Sequence, residues 1–127
     1  MKDAAVRTTV PGVPVDPWWV VCLCADWCGV CREYRSGFED VARRWPGVRW
    51  EWLDVEDRED LVDDVDVETF PTLLIGQGAR AFFLGPLLPQ HAVLERLVAS
   101  FIDGAPATPH LPPEATPLLQ RVTAALA

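Results

Sequence analysis

Residues 18–31 read Trp18-Trp19-Val20-Val21-Cys22-Leu23-Cys24-Ala25-Asp26-Trp27-Cys28-Gly29-Val30-Cys31. The first part, Trp18 to Ala25, is apolar throughout, the pattern of a strand covered on both faces in a parallel or mixed sheet. Asp26 and Trp27 end the run, and Cys28 to Cys31 open a segment of helical periodicity. Tyr34, Phe38, Val41, Ala42 and Trp45 recur at spacings that line one helical face, and Pro46-Gly47 stops it. A strand runs straight into a helix, with two cysteines two residues apart at the junction.

Outward from this unit the chain keeps alternating. Residues 4–10 read as an earlier strand, followed by the Pro-rich turn Pro11-Gly12-Val13-Pro14. Val48 to Asp54 is a second strand after the helix, with Trp50 and Trp52 on one face. An acidic helix or pair of turns is expected over 56–64. Phe70-Pro71-Thr72 then leads into Leu73-Leu74-Ile75, and Gly76-Gln77-Gly78 turns the chain into Ala81-Phe82-Phe83-Leu84, a hairpin signal. A helix from Pro89 to Ile102 presents Val93, Leu94, Leu97, Val98 and Phe101 inward. The order βαβ, helix, ββ, helix predicts an α/β fold with a central mixed sheet and helices on both faces.

The domain is expected over 1–103, and 104–127 reads as an extension. Gly104 to Pro117 holds five prolines in fourteen residues and should be extended. Thr116 and Pro117 look like the cap and first residue of a short helix. Its stripe, Leu118, Leu119, Val122 and Leu126, needs something to pack on, either its own domain or another chain.

Composition narrows the function. Half of the 127 residues are hydrophobic, enough for a real core, but no stretch reaches the roughly 20 apolar residues of a membrane span. The N-terminal residues lack the apolar stretch of a secretory signal, so a cytoplasmic location is expected. A net charge of −8 argues against nucleic acid as a partner. Ten of the nineteen acidic residues fall between Glu51 and Glu68, opposed only by Arg58, a solvated face or a docking surface for a basic partner. His91 and His110 stand in no Cys-His-Asp pattern, and no Gly-rich phosphate loop is present.

The four cysteines, at 22, 24, 28 and 31, are too few and too close for a disulfide-built scaffold. Cys28 at a helix N-terminus meets unpaired backbone N–H groups and the positive end of the helix dipole, which favour a thiolate. The thiolate is the attacking species, so Cys28 is assigned as nucleophile and Cys31 as the thiol that resolves the mixed disulfide. Cys22 and Cys24 share a strand face. They read as small buried hydrophobes, with Cys22 as a third redox thiol or all four around zinc as the sharper alternatives.

The segment Ala25-Asp26-Trp27-Cys28-Gly29-Val30-Cys31 resembles the active-site stretch of the thioredoxin family, and Phe70-Pro71-Thr72 looks like that family's cis-proline loop. Gly85 is placed like its glycine near the substrate groove. The resemblance spans roughly residues 18–102 and implies a thioredoxin-like fold and a thiol–disulfide oxidoreductase. It also implies a substrate surface of Trp27, Gly29, Val30, Phe70, Pro71 and Gly85. The redox group would be a Cys28–Cys31 disulfide with no separate cofactor or metal. Its partners would be a disulfide-containing protein substrate and an external reductase or glutathione as electron source, with no nucleic acid and no membrane.

Three departures stand out. Val30 replaces the family's usual proline between the cysteines, and the proline that bends the next helix is missing, with Ser36-Gly37 nearby. By spacing, Cys22 occupies the place of the family's buried aspartate and Trp52 that of its lysine. Lys2, the only lysine, lies too far off in sequence. The usual acid for the resolving thiol is thus lacking. A thioredoxin-like binding module with little redox turnover is the alternative reading.

Overall fold

A computed structural model describes residues 16–62, 65 and 67–126. The strand expected at 4–10 and the turn at Pro11-Gly12-Val13-Pro14 lie outside the described residues. The elements are β1 (Trp18–Cys24), α1 (Gly29–Arg44), β2 (Val48–Asp54), α2 (Glu59–Val62), β3 (Thr72–Gln77), β4 (Arg80–Pro86), α3 (His91–Ile102) and α4 (Ala115–Leu126). The four strands form one mixed sheet in the order β2-β1-β3-β4. Strand β1 runs parallel to β2 and antiparallel to β3, and β3 pairs antiparallel with β4.

β1 is central, so both its faces are covered, as its continuous apolar run requires. Alternation sends Val20, Cys22 and Cys24 to one face, where they join Cys31, Tyr34 and Phe38 of α1 and Leu94, Val98 and Phe101 of α3. Trp19, Val21 and Leu23 go to the other face, against Leu61 and Val62 of α2 and Leu118, Leu119 and Val122 of α4.

Helix α1 is continuous from Gly29 to Arg44. Gly37 serves a close approach to α3, where a Cβ would come within 2.6 Å of His91 Nδ1. Arg44 and Trp45, at the end of α1, both hydrogen-bond the Glu95 carboxylate of α3, tying the two helices from outside.

Several boundaries differ from expectation. α2 is a single turn, because the Asp54 carboxylate accepts the Glu56 and Asp57 N–H groups and holds the preceding residues in a turn. The hairpin strands run on through Gln77, and the turn lies at Gly78-Ala79, where Gly78 has φ 59°. Gly76 lies inside β3 beside a register shift, and a Cβ there would meet Arg80 O at 2.6 Å and the Leu119 side chain.

The C-terminal segment folds back onto its own chain. Leu118, Leu119 and Val122 of α4 are fully buried on the sheet, and Leu126 packs at the edge of the same cluster. Each such side chain contributes roughly 1.5–3 kcal/mol of transfer free energy. α4 begins at Ala115, one residue before the expected cap. The Thr116 hydroxyl instead accepts the Ala81 N–H of β4, and Pro117 sits in the first turn, where no intrahelical N–H is needed.

Candidate functional site

The end of β1 and the start of α1 place the four cysteines in one corner of the molecule. Cys28 caps α1 with an extended backbone, φ −85° and ψ 119°, and its side chain makes no capping hydrogen bond. Its N–H donates to Ala25 O at 3.0 Å, and its carbonyl accepts from Arg32 N at 3.2 Å. The first turn of α1 carries no acidic residue. Cys28 is only partly covered, whereas Cys31, one turn on, is 1% exposed.

The disulfide in the structure joins Cys31 to Cys24, with Cα atoms 5.9 Å apart, and Cys28 and Cys22 are thiols. The Cys28–Cys31 bond that the resemblance implied is therefore not the one present. β1 supplies the reason. Its last residue points toward the α1 face, so Cys24 reaches the first turn of the helix that begins five residues later. Cys24 is fully buried. Cys22, two positions back on the same face, donates its S–H toward Cys24 Sγ at 3.8 Å.

Cys22 is next to Trp52 in the sheet register, as the spacing argument placed them. Burial pushes the Cys22 thiol far above its ordinary range, opposed only in part by the Arg35 charge. Arg35 reaches over the Trp52 ring, its guanidinium carbon 5.1 Å from the centroid. Sequence reasoning looked for a lysine at this place and missed Arg35. The cation comes from the facing helix rather than the neighbouring strand, and helical spacing, two turns on from Cys28, was the available signal. Tyr34 Oη is buried nearby without a hydrogen-bond partner among the described residues, and burial, then the Cys22 charge, push its hydroxyl well above the usual range.

The rim is apolar and open. Trp27 is 63% exposed, so it is not a core residue. Its indole N–H donates to Glu56 Oε2 at 2.9 Å, and its ring meets Phe70 edge-on at 5.7 Å. Val30 is exposed, as is Gly29. The Phe70–Pro71 peptide is cis, as the resemblance implied, and Phe70 packs against the same cluster as Cys28. Trp27 and Phe70 thus meet at the corner that carries Cys28, Gly29 and Val30, and Pro71 follows Phe70 through the cis bond. Gly85 stands opposite Leu73 on β4, two strands from β1, and a Cβ there would meet only the Phe83 ring.

Asp54, at the end of β2, is a second residue sequence reasoning missed. One carboxylate oxygen accepts the Asp26 N–H at 2.9 Å and the other accepts Glu56 and Asp57, so it holds the loop that carries Trp27. Burial pushes its carboxyl up, but these backbone donors outweigh it and hold it below the usual carboxylate range. Asp26, Asp54 and Asp57 bring carboxylate oxygens within 4.8 Å of one another, with Asp54 already occupied by backbone. The cysteines do not offer zinc four thiolates, since two of their sulfurs are bonded to each other.

The thioredoxin family model matches residues 11–84, more than half of the chain. This chain belongs to the thioredoxin family. Among curated relatives, an H-type thioredoxin of Oryza sativa subsp. indica is 33% identical over 63 residues, 49% of this chain and 52% of its own length. A thioredoxin of Ophiophagus hannah is 34% identical over 53 residues, 42% of this chain and 50% of its own. The chain spans about half the length of the curated relatives it matches. Among solved structures, the Drosophila melanogaster thioredoxin Deadhead aligns with TM-score 0.61 at 24% identity, covering 67% of this chain and 81% of that one. Oxidised mitochondrial thioredoxin 3 of Saccharomyces cerevisiae aligns with TM-score 0.60 at 21% identity, covering 67% and 79%. These likenesses fix the thioredoxin fold. No helix among the described residues is long and apolar enough to cross a membrane.

Proposed function

We propose that this thioredoxin-family protein reduces protein disulfides in the cytoplasm by dithiol–disulfide exchange, with Cys28 as nucleophile and Cys31 as resolving thiol. The observation that carries this is the placement of the sulfurs. Cys28 is the partly exposed thiol, at the N-terminus of α1 and ringed by Trp27, Val30 and Phe70, with Cys31 buried one turn behind it. From the reduced state, the Cys28 thiolate attacks one sulfur of a substrate disulfide, and the other leaves as a thiolate. Cys31 then attacks Cys28 Sγ, the substrate leaves reduced, and a Cys28–Cys31 disulfide remains. An external reductase or glutathione supplies the two electrons that return the dithiol. The exposed rim and the backbone beside Pro71 suit an extended segment of the substrate protein.

Dithiothreitol-driven reduction of insulin, with wild type beside Cys28→Ser, tests this. Turnover in the wild type that the variant loses by about 100-fold or more supports the assignment, since a serine hydroxyl cannot replace the attacking thiolate. Equal activity in both would sink it. No turnover in either would point to a thioredoxin-like binding module or to an enzyme of narrow substrate range.

A further inference from the structure

We infer that Cys24 is a third redox cysteine, which takes the disulfide over from Cys28 and stores it as a buried Cys24–Cys31 bond. This rests on the exchange chemistry proposed above for Cys28 and Cys31. The juxtaposition that carries it is Cys31, bonded to Cys24 on the β1 side and one helical turn from Cys28 on the other. All three sulfurs border one apolar cluster. The spacing argument had offered Cys22 as the third thiol, but Cys22 remains unbonded and faces Cys24.

The step is an isomerisation and needs no outside oxidant. The Cys24 thiolate attacks Cys31 Sγ of the Cys28–Cys31 disulfide. The 24–31 bond forms, the 28–31 bond breaks, and the electron pair leaves with Cys28 as a thiolate. One thiol and one disulfide stand on each side, and the proton released by Cys24 is balanced by the one Cys28 can take up. A bare thiolate at Cys24 would be costly in this apolar site. The Cys22 S–H, 3.8 Å away, is the donor that eases it.

Stability is a weak reason for this bridge. It spans seven positions, and short loops gain least from cross-linking. Its effect on access is large. Cys24 is 0% and Cys31 1% exposed, so an outside thiol cannot reach the bond directly, and electrons must re-enter when Cys28 attacks Cys31 in the reverse step. While the bond is stored, Cys28 is again a thiol at the surface without its resolving partner. It then captures a second disulfide partner as a mixed disulfide that only an outside thiol releases.

The four cysteines fall on two fragments when endoproteinase Asp-N cleaves before Asp16, Asp26 and Asp40. Residues 16–25 carry Cys22 and Cys24, and 26–39 carry Cys28 and Cys31. The reduced full-length protein is exposed in parallel to excess insulin and to diamide. At intervals it is quenched in acid, blocked with N-ethylmaleimide, unfolded, digested and weighed by mass spectrometry. A bond inside 26–39 should appear first and convert into a cross-link between the fragments, each bearing one maleimide. The cross-link should persist in Cys22→Ala and vanish in Cys24→Ala. A bond that stays inside 26–39, or a cross-link that survives Cys24→Ala, overturns the inference, as does a cross-link formed equally fast in Cys28→Ser. The released insulin thiols report separately on the reductase reading. If insulin is untouched, that reading fails, and the diamide series alone decides whether Cys24 takes over the bond.

Discussion

The two faces of the sheet share a strand but not a chemistry. Alternate residues of β1 are equally buried, yet Trp19, Val21 and Leu23 meet a largely aliphatic layer from α2 and α4, while Val20, Cys22 and Cys24 meet sulfur and aromatic rings from α1 and α3. The α4 face is closed mainly by packing around Gly76 and Leu119, with hydrogen bonds to the Thr116 hydroxyl and from Arg121 to Leu61 O at its margin. The α1 face also carries a buried thiol, a buried phenol and an external polar clamp at Glu95. The aliphatic face is built for packing, and the sulfur face holds the cysteines to which the proposed exchange is assigned. Burial by itself does not separate them, because chemistry follows the type of side chain each face receives.

This division can be broken most directly at α4. Leu119→Ala removes a fully buried side chain against Gly76 and should cost about 2–5 kcal/mol in urea unfolding. Disulfide exchange per folded molecule should be unchanged. A loss of exchange rate in fully folded variant would show that the two faces are coupled.

A smaller effect is expected on the sulfur face. Cys22→Ser places a hydroxyl where the thiol is fully buried, and should cost about 1–3 kcal/mol, with Cys22→Ala milder. Equal stability of Cys22→Ser and wild type would mean that the site already admits water, and that its apolar character has been overstated.

The smallest effect concerns the clamp between α1 and α3. Hydrogen bonds from Arg44 and then Trp45 hold the Glu95 carboxyl down at about 2, against an ordinary 4.5. A folded-state value below the unfolded one means that the clamp contributes fully above pH 4.5 and is lost as pH falls toward 2. Glu95→Gln should therefore flatten the stability–pH curve across that interval while leaving the profile above it parallel to wild type. Unchanged slope, measured by denaturant titration at stepped pH, would assign the acid sensitivity elsewhere. Asp54, also held low, is the next carboxyl to test.

Much of the fold was legible because periodicity and burial agree along the chain. β1, β2 and the apolar faces of α1, α3 and α4 follow from runs whose pattern has one consistent solution. The dithiol corner was legible too, since a strand that feeds a helix through Trp27-Cys28-Gly29-Val30-Cys31 is a local arrangement. The extent of α2, the hairpin turn and the start of α4 were less so. In each, a polar group with a tertiary or near-local partner stands at the boundary: the Asp54 carboxylate, the Gly78 N–H on Pro17 O, and the Thr116 hydroxyl on Ala81.

By itself the sequence determined the kind of protein: a mixed α/β sheet, and cysteines gathered at one strand–helix junction. Those features are written in local spacing, and spacing is read along the chain. Which sulfur meets which was decided only in three dimensions. Cys31 has Cys28 three residues away at the cap of its own helix and Cys24 seven residues away on the strand beneath. The docking of α1 on β1 selects between them, because a covalent partner is chosen by distance in space and not by separation in sequence.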